Sequence, residues 1–146
     1  LFAAVLAKSN NATIINFGSS ANYHNYNPAS ILADIQQPLN SADLGGTNFD
    51  VSFNLLNEPV DRIIILSDMQ AWEGRNLPTA AFKNYRSRTG ANPYIYSFDL
   101  CGSGTMQFPE DKVFTLAGFH GDILQIMWML EQDKDALIRE IESITL

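Results

Sequence analysis

The sequence has one cysteine, Cys101, in 146 residues. A disulfide framework within the chain is thereby excluded, and a reducing, cytoplasmic compartment is the expectation. No run of about 18 apolar residues occurs, so no segment is expected to span a membrane as a helix. Basic residues are in the minority. Nine Lys and Arg stand against sixteen Asp and Glu, a net charge of −7, which excludes a basic nucleic-acid footprint over the domain as a whole. The acidic residues are dispersed, which reads as a solvated surface and not as an acidic tail.

Signatures of catalysis are equally scarce. Gly102-Ser103-Gly104 lacks the third glycine and the helix start of a dinucleotide fingerprint. There is no phosphate-loop lysine motif, and Ser19 and Ser20 do not sit in a nucleophile elbow. His24 and His120 are far apart with no metal-ligand spacing. Cys101 has no neighbouring His or Lys to activate it and reads as a small buried hydrophobe.

What is present is the composition of a globular domain. Apolar residues make up 46% and charged residues 17%, enough Ile, Leu, Val and Phe to bury a core in one domain. The opening LFAAVLA is short, apolar and without a basic leader, so it reads as the last turns of a helix, stopped by Asn10-Asn11. Without an initiator Met, the chain is expected to be a fragment of a longer protein. Ala12–Phe17 reads as a buried strand ending at Gly18-Ser19-Ser20, and 22–27 as a turn or polar edge strand. A helix is expected over 28–38 and a loop over 40–46. A second helix follows, with Thr47 as N-cap, Asp50 completing a capping-box-like pattern, and Phe49, Phe53 and Leu56 on its apolar face.

Ile63–Leu66, four consecutive branched aliphatics, reads as a central parallel strand buried on both faces. Pro78 opens a helix that carries Ala81, Phe82 and Tyr85 and closes near Gly90. Strands follow at Pro93–Phe98 and Lys112–Leu116. One long closing helix is expected from Asp122 to about Ile144, with Ile123, Ile126, Met127, Leu130, Leu137 and Ile141 inward. The alternation of strands and helices gives an α/β class: a Rossmann-like, open, mainly parallel sheet flanked by helices.

In such sheets ligands bind beyond the carboxyl ends of the strands, and those ends are polar here. The first strand ends in Gly18-Ser19-Ser20, the central one in Ser67-Asp68, the next in Asp99. Asp68 is either a ligand for a hard cation such as Mg²⁺, which prefers oxygen donors, or the N-cap of the turn leading to Trp72. Thr47, behind Gly45-Gly46, is either a second ligand or a bare helix cap. Together they make a sparse, oxygen-only cation site, with Ser19, Ser67 and Trp72 at its rim or, for Trp72, in ordinary packing. Arg75, Lys83, Arg86 and Arg88, with Tyr85 between, form a local basic patch that is either a phosphate contact or a solvated helix face.

DRIIILSDMQAWEG (Asp61–Gly74) and NYRSRTGANPYIYSFDLCGSGTMQFPEDKVFTLAGF (Asn84–Phe119), with INFGSSA (Ile15–Ala21) and LGGTNF (Leu44–Phe49) upstream, resemble the carboxyl-terminal domain of Ro-type (TROVE) RNA-binding proteins. That domain has a von Willebrand factor A fold. The resemblance covers nearly the whole chain. It implies a metal-ion-dependent adhesion site built from three loops, in which Thr47 matches the threonine of the second and Asp68 the aspartate of the third. The Asp-x-Ser-x-Ser loop and the first strand of the family have no counterpart and are expected upstream of Leu1. The fragment is therefore expected to hold Mg²⁺ or Mn²⁺ weakly, and to expose a sheet groove where the central strand belongs.

The resemblance also implies a parent that holds small non-coding RNA on a separate ring of helical repeats, and a protein partner that completes the cation's coordination with a carboxylate. The alternative is a purely structural A-type domain with a degenerate metal site, used in assembly. An enzyme is not expected. A metal-assisted phosphohydrolase needs a general base and further carboxylates near Asp68, for which Glu73 and Asp99 are the only nearby residues.

Overall fold

The computed structural model describes residues 2–10, 12–25, 45–68, 77–102, 111–118, 121–133 and 135–144. The helix expected over 28–38, the segment 40–44, Trp72, Glu73, Arg75 and His120 lie outside the described residues. The chain divides into two compact units: Leu1–Pro59 with Gln70–Ala91, and Val60–Met69 with Asn92–Leu146.

The first unit opens with α1 (Phe2–Asn10), and the expected stop is where the helix ends. The Asn10 side-chain amide donates to the Leu6 carbonyl at 2.9 Å, taking up one of the acceptors a helix end leaves open. β1 (Ile14–Phe17) and β2 (Ala21–His24) form an antiparallel hairpin with Ile14 opposite His24 and Phe17 opposite Ala21. The polar stretch after Ser20 is thus a strand, and its pairing with β1 is the antiparallel exception in a mainly parallel architecture. α2 (Phe49–Leu55) and α3 (Pro78–Thr89) complete the unit.

The core of this unit is aromatic. Phe53 stands 5.6 Å from Phe82 and 5.9 Å from Tyr85, and Phe17 stands 5.4 Å from Phe49. α2 has only seven residues, too short to be stable by propensity, so its packing and its ends decide it. Arg88 donates to the carbonyls of Phe53 and Leu56, each at 2.8 Å, and the Tyr23 hydroxyl donates to Leu55 O at 2.8 Å. A guanidinium at a helix C-terminus also meets the negative end of the helix dipole. α3 runs as expected, with Ala81, Phe82 and Tyr85 buried, and Gly90 closes it with φ 72°, a left-handed conformation that glycine adopts without strain.

The second unit holds a parallel sheet in the order β3 (Arg62–Ser67), β4 (Tyr94–Asp99), β5 (Val113–Ala117). Helices α4 (Ile123–Gln132) and α5 (Ala136–Ser143) follow. Among the described residues β4, not β3, is the central strand, a correction to the reading of Ile63–Leu66. It has a neighbour on each edge, and Ile95 through Asp99 are all buried, whereas β3 buries fully only Ile65 and Ser67. An unbroken apolar run reports burial of side chains on two faces and says nothing about how many strands flank it.

A second correction concerns the closing helix, which is two helices. Asp133 breaks it. Its backbone N–H still bonds the Met129 carbonyl, but its carboxylate accepts from the Asp135 N–H at 2.9 Å and pairs with Arg139. This local side-chain bond competes with the helical ladder, as aspartates at turns do. Of the residues expected inward, Ile123, Met127 and Leu130 are buried and Ile126 is half-buried, but Ile141, beyond the break, is 69% exposed, and the Leu137 side chain lies outside the described residues. No described helix is long and apolar enough to cross a membrane.

α4 is fastened to the sheet by one acid. Glu131 receives the Arg62 guanidinium through Nε and a terminal nitrogen, both at 2.5 Å, a two-pronged geometry. The Tyr96 hydroxyl lies 3.0 Å from Glu131 Oε1 and 3.0 Å from the Met127 carbonyl, so its single proton serves one or the other. Tyr94 donates to the Glu131 carbonyl at 3.3 Å. The Arg62 pair holds the Glu131 carboxyl below its ordinary value of 4.5, against the opposite pull of burial. Burial and then the Glu131 contact push the Tyr96 phenol far up, which keeps it a donor.

Glu131→Gln is expected to cost about 1–2 kcal/mol, the worth of a charge-assisted bond discounted for the exposed Arg62 partner. Because the folded chain binds the Glu131 proton more weakly than the unfolded chain, the carboxylate's contribution is complete above the ordinary value of 4.5 and is lost as pH falls through the lowered one. Urea titrations across that range should therefore show a shallower acid loss of stability in Glu131→Gln than in the parent chain. An identical slope would show that the pair contributes nothing.

Candidate binding site at the strand ends

In the first unit the loop after β1 is sewn to the loop before α2. The Asn48 N–H donates to Gly18 O at 3.0 Å, and the Gly46 N–H donates to the Ser19 hydroxyl oxygen at 3.1 Å. Gly18 and Gly46 are buried at this seam. Ser19 and the Gly-Gly-Thr loop are therefore brought together, as the reading of the strand ends anticipated. Thr47, half-buried, lies between the two residues that make the seam.

The helix cap, however, is Asn48 and not Thr47. Asn48 has extended backbone (φ −120°, ψ 100°), and its Oδ1 accepts from the Asp50 N–H at 3.0 Å. The capping residue immediately precedes the first helical residue, which is Phe49, so Asp50 falls one place short of a capping-box partner. Its charge still favours the positive end of the helix. The sequence carried this signal, since asparagine caps at least as well as threonine. Capping is thereby removed as the reason for a hydroxyl at position 47.

In the second unit Ser67 pairs in register with Asp99, and the Leu100 N–H extends the ladder to Ser67 O at 2.9 Å. Asp68, half-buried, is the first residue beyond β3, and the Ser67 hydroxyl donates to its Oδ1 at 3.4 Å, a weak contact. Ser67 and Asp68 thus stand together at the carboxyl edge of the parallel sheet, one strand from Asp99. The Asp99 carboxylate is buried and accepts at Oδ1 from the Cys101 N–H at 3.1 Å and the Gly102 N–H at 2.8 Å. It holds a tight turn, in which Gly102 has φ 71°. Cys101 is exposed on that turn, which corrects its reading as a buried hydrophobe: the chain has already left the core, and the residue contributes its N–H to Asp99.

The turn expected to lead from Asp68 to Trp72 lies outside the described residues, as does Trp72. Among the described residues no three His, Cys, Asp or Glu side chains gather in a way that could hold a metal. In the second unit the strand ends carry oxygen donors, the Asp68 and Asp99 carboxylates and the Ser67 hydroxyl. The buried Ser97 hydroxyl has no partner among the described residues, a feature no sequence pattern flagged. The basic patch is largely structural. Arg88 is committed to the α2 carbonyls, and Arg86 lies over the Phe82 ring at 5.6 Å.

Asn48→Ala is expected to lower stability by about 1 kcal/mol through loss of the cap, and Thr47→Ala by clearly less. Paired denaturant titrations of the two variants check the assignment, and the reverse order would return the cap to Thr47.

Comparison with known proteins comes out on one side only. The family model described as the Ro60 vWA domain matches residues 1–130. No curated protein matches the chain. The matched span contains the β1 hairpin, the Gly-Gly-Thr loop, the whole parallel sheet and most of α4, and the chain belongs to the Ro60 vWA domain family.

Proposed function

We propose that this domain is a non-enzymatic binding module of a cytoplasmic, Ro-like ribonucleoprotein whose separate RNA-binding part holds small non-coding RNAs. In this reading Thr47 and Asp68 hold a divalent cation, Mg²⁺ or in its place Mn²⁺, with Ser19, Ser67 and Trp72 around it. The observation that carries the reading is the position of Asp68, a half-buried carboxylate just past the carboxyl end of a parallel strand, where open α/β sheets bind their ligands.

Mg²⁺ takes six oxygens and keeps several of its waters. Two side chains of this domain leave most of that shell to water, to residues beyond these two, and to a carboxylate from a partner protein. The partner's charge would then be selected by the cation itself. RNA is assigned to the other part of the parent because the net charge of −7 repels a phosphate backbone.

A structural reading, an A-type domain used in assembly with a degenerate metal site, is favoured by one observation: the Ser19 hydroxyl oxygen already serves the Gly46 N–H.

The test is a thermal melt of the intact parent protein with Mg²⁺, with Mn²⁺ and with chelator, beside Thr47→Ala and Asp68→Ala. A cation present at a hundredfold its Kd stabilises by about 2.7 kcal/mol, so a rise of about 5 °C that both substitutions abolish is expected. No shift in the parent would leave the structural reading in possession.

A further inference from the structure

α4 and α5 carry apolar residues on two sides. Ile123, Met127 and Leu130 are buried. On the outer side of α4, Leu124 and Trp128 recur at i and i+4, and Trp128 is 62% exposed. On α5, Ile138 and Ile141 recur at i and i+3, with Ile144 just beyond, and all three are more than half exposed. Single exposed aliphatics are ordinary, but Leu124 with Trp128 and Ile138 with Ile141 each recur at helical spacing on two helices that approach one another, with Ile144 just beyond. An exposed tryptophan is the residue type that most often dominates binding at such a surface.

The charge around these residues selects the partner. From Asp122 to Leu146 the sequence has six acidic and two basic residues, a net −4 out of the chain's −7. Asp122, Asp135 and Glu142, next to the apolar positions in sequence, are exposed. Two copies of this face would oppose like charges, and an anionic lipid surface would be repelled as well. We propose that the outer faces of α4 and α5 bind a basic amphipathic segment of a partner protein, its apolar residues seated against Trp128, Leu124 and Ile141 and its Lys or Arg residues against the acidic rim. The proposal uses none of the residues of the proposed cation site and does not rest on it.

The probe is a synthetic 18-residue peptide with Leu at helical spacing and Lys elsewhere. Its counterpart has Glu in place of Lys. Titration by calorimetry should show the Lys peptide binding the full chain, and Trp128→Lys with Ile141→Lys together should weaken it about tenfold or more. Both positions are exposed, so a circular dichroism melt should find the double variant as stable as the parent chain. Raising ionic strength from about 0.05 M to about 0.5 M should also weaken binding, since the rim charges are exposed.

Absence of binding, undiminished binding in the double variant, or equal binding of the Glu peptide would each overturn the proposal. So would sedimentation showing a dimer that the same substitutions disperse, which would make the face a self-interface. If the intact parent fails to bind the Lys peptide while this chain binds it, the face is covered by the parent's own chain and the proposal likewise falls.

Discussion

The Glu131 carboxylate takes the Arg62 fork, with the Tyr96 hydroxyl also within reach of its Oε1, and the second unit is organised around that pairing. Arg62 opens β3 and Tyr96 lies inside β4, so a single acid from α4 reaches two parallel strands. Parallel neighbours have no tight turn to set their register, since each connection is a long crossover. What sets it here is the shared apolar pattern of Ile63–Leu66 and Tyr94–Phe98, with the helix that covers β4 pinned by Glu131. The acid can do this only because it is ionised, and Arg62 keeps it so. The tyrosine can answer only because it is not ionised, and burial keeps it so.

The same physical demand, that polar groups leaving the solvent find partners, shapes the first unit with different residues. α2 is too short to hold itself, and its open carbonyls are taken by Arg88 from α3 and Tyr23 from β2. One of its open N–H groups, that of Asp50, is met by the Asn48 side chain. The rim residues that look functional are partly drawn into this bookkeeping: Ser19 is used at the seam with Gly46 and Asp99 at the turn to Gly102. Thr47 and Asp68, which the family resemblance assigns to the cation, stand half-buried at the ends of their loop and strand.

Much of the fold was legible in the sequence because local signals and tertiary demand agreed. Pro78 and Gly90 bracket α3 by backbone geometry alone, Asn10 stops α1, and the three strands of the parallel sheet lie where β-branched and aromatic residues cluster. The misreadings have a common cause. A side chain's local hydrogen bond is invisible to periodicity, so Asp133 could break an apolar pattern that continues through Ile141, and Asn48 could take a cap that Thr47 was equally able to supply. Burial was misjudged where it depends on distant chain: β3 looks more central than β4, and Cys101 looks interior, only until the neighbours are placed.

The break at Asp133 also bears on how the domain is used. A continuous helix from Asp122 to Ile144 would have aimed Ile141 along the same stripe as Met127 and Leu130, seven residues making a repeat of that face. With the break, α5 is a separate helix, and its Ile138 and Ile141 are exposed, as is Trp128 of α4. The aspartate that ends α4 accepts from the Asp135 N–H and lies beside Arg139. Exposing five large hydrophobics costs solubility and folding free energy in any isolated chain. A partner that covered them would relieve that cost, and the acidity of the same segment favours a basic one.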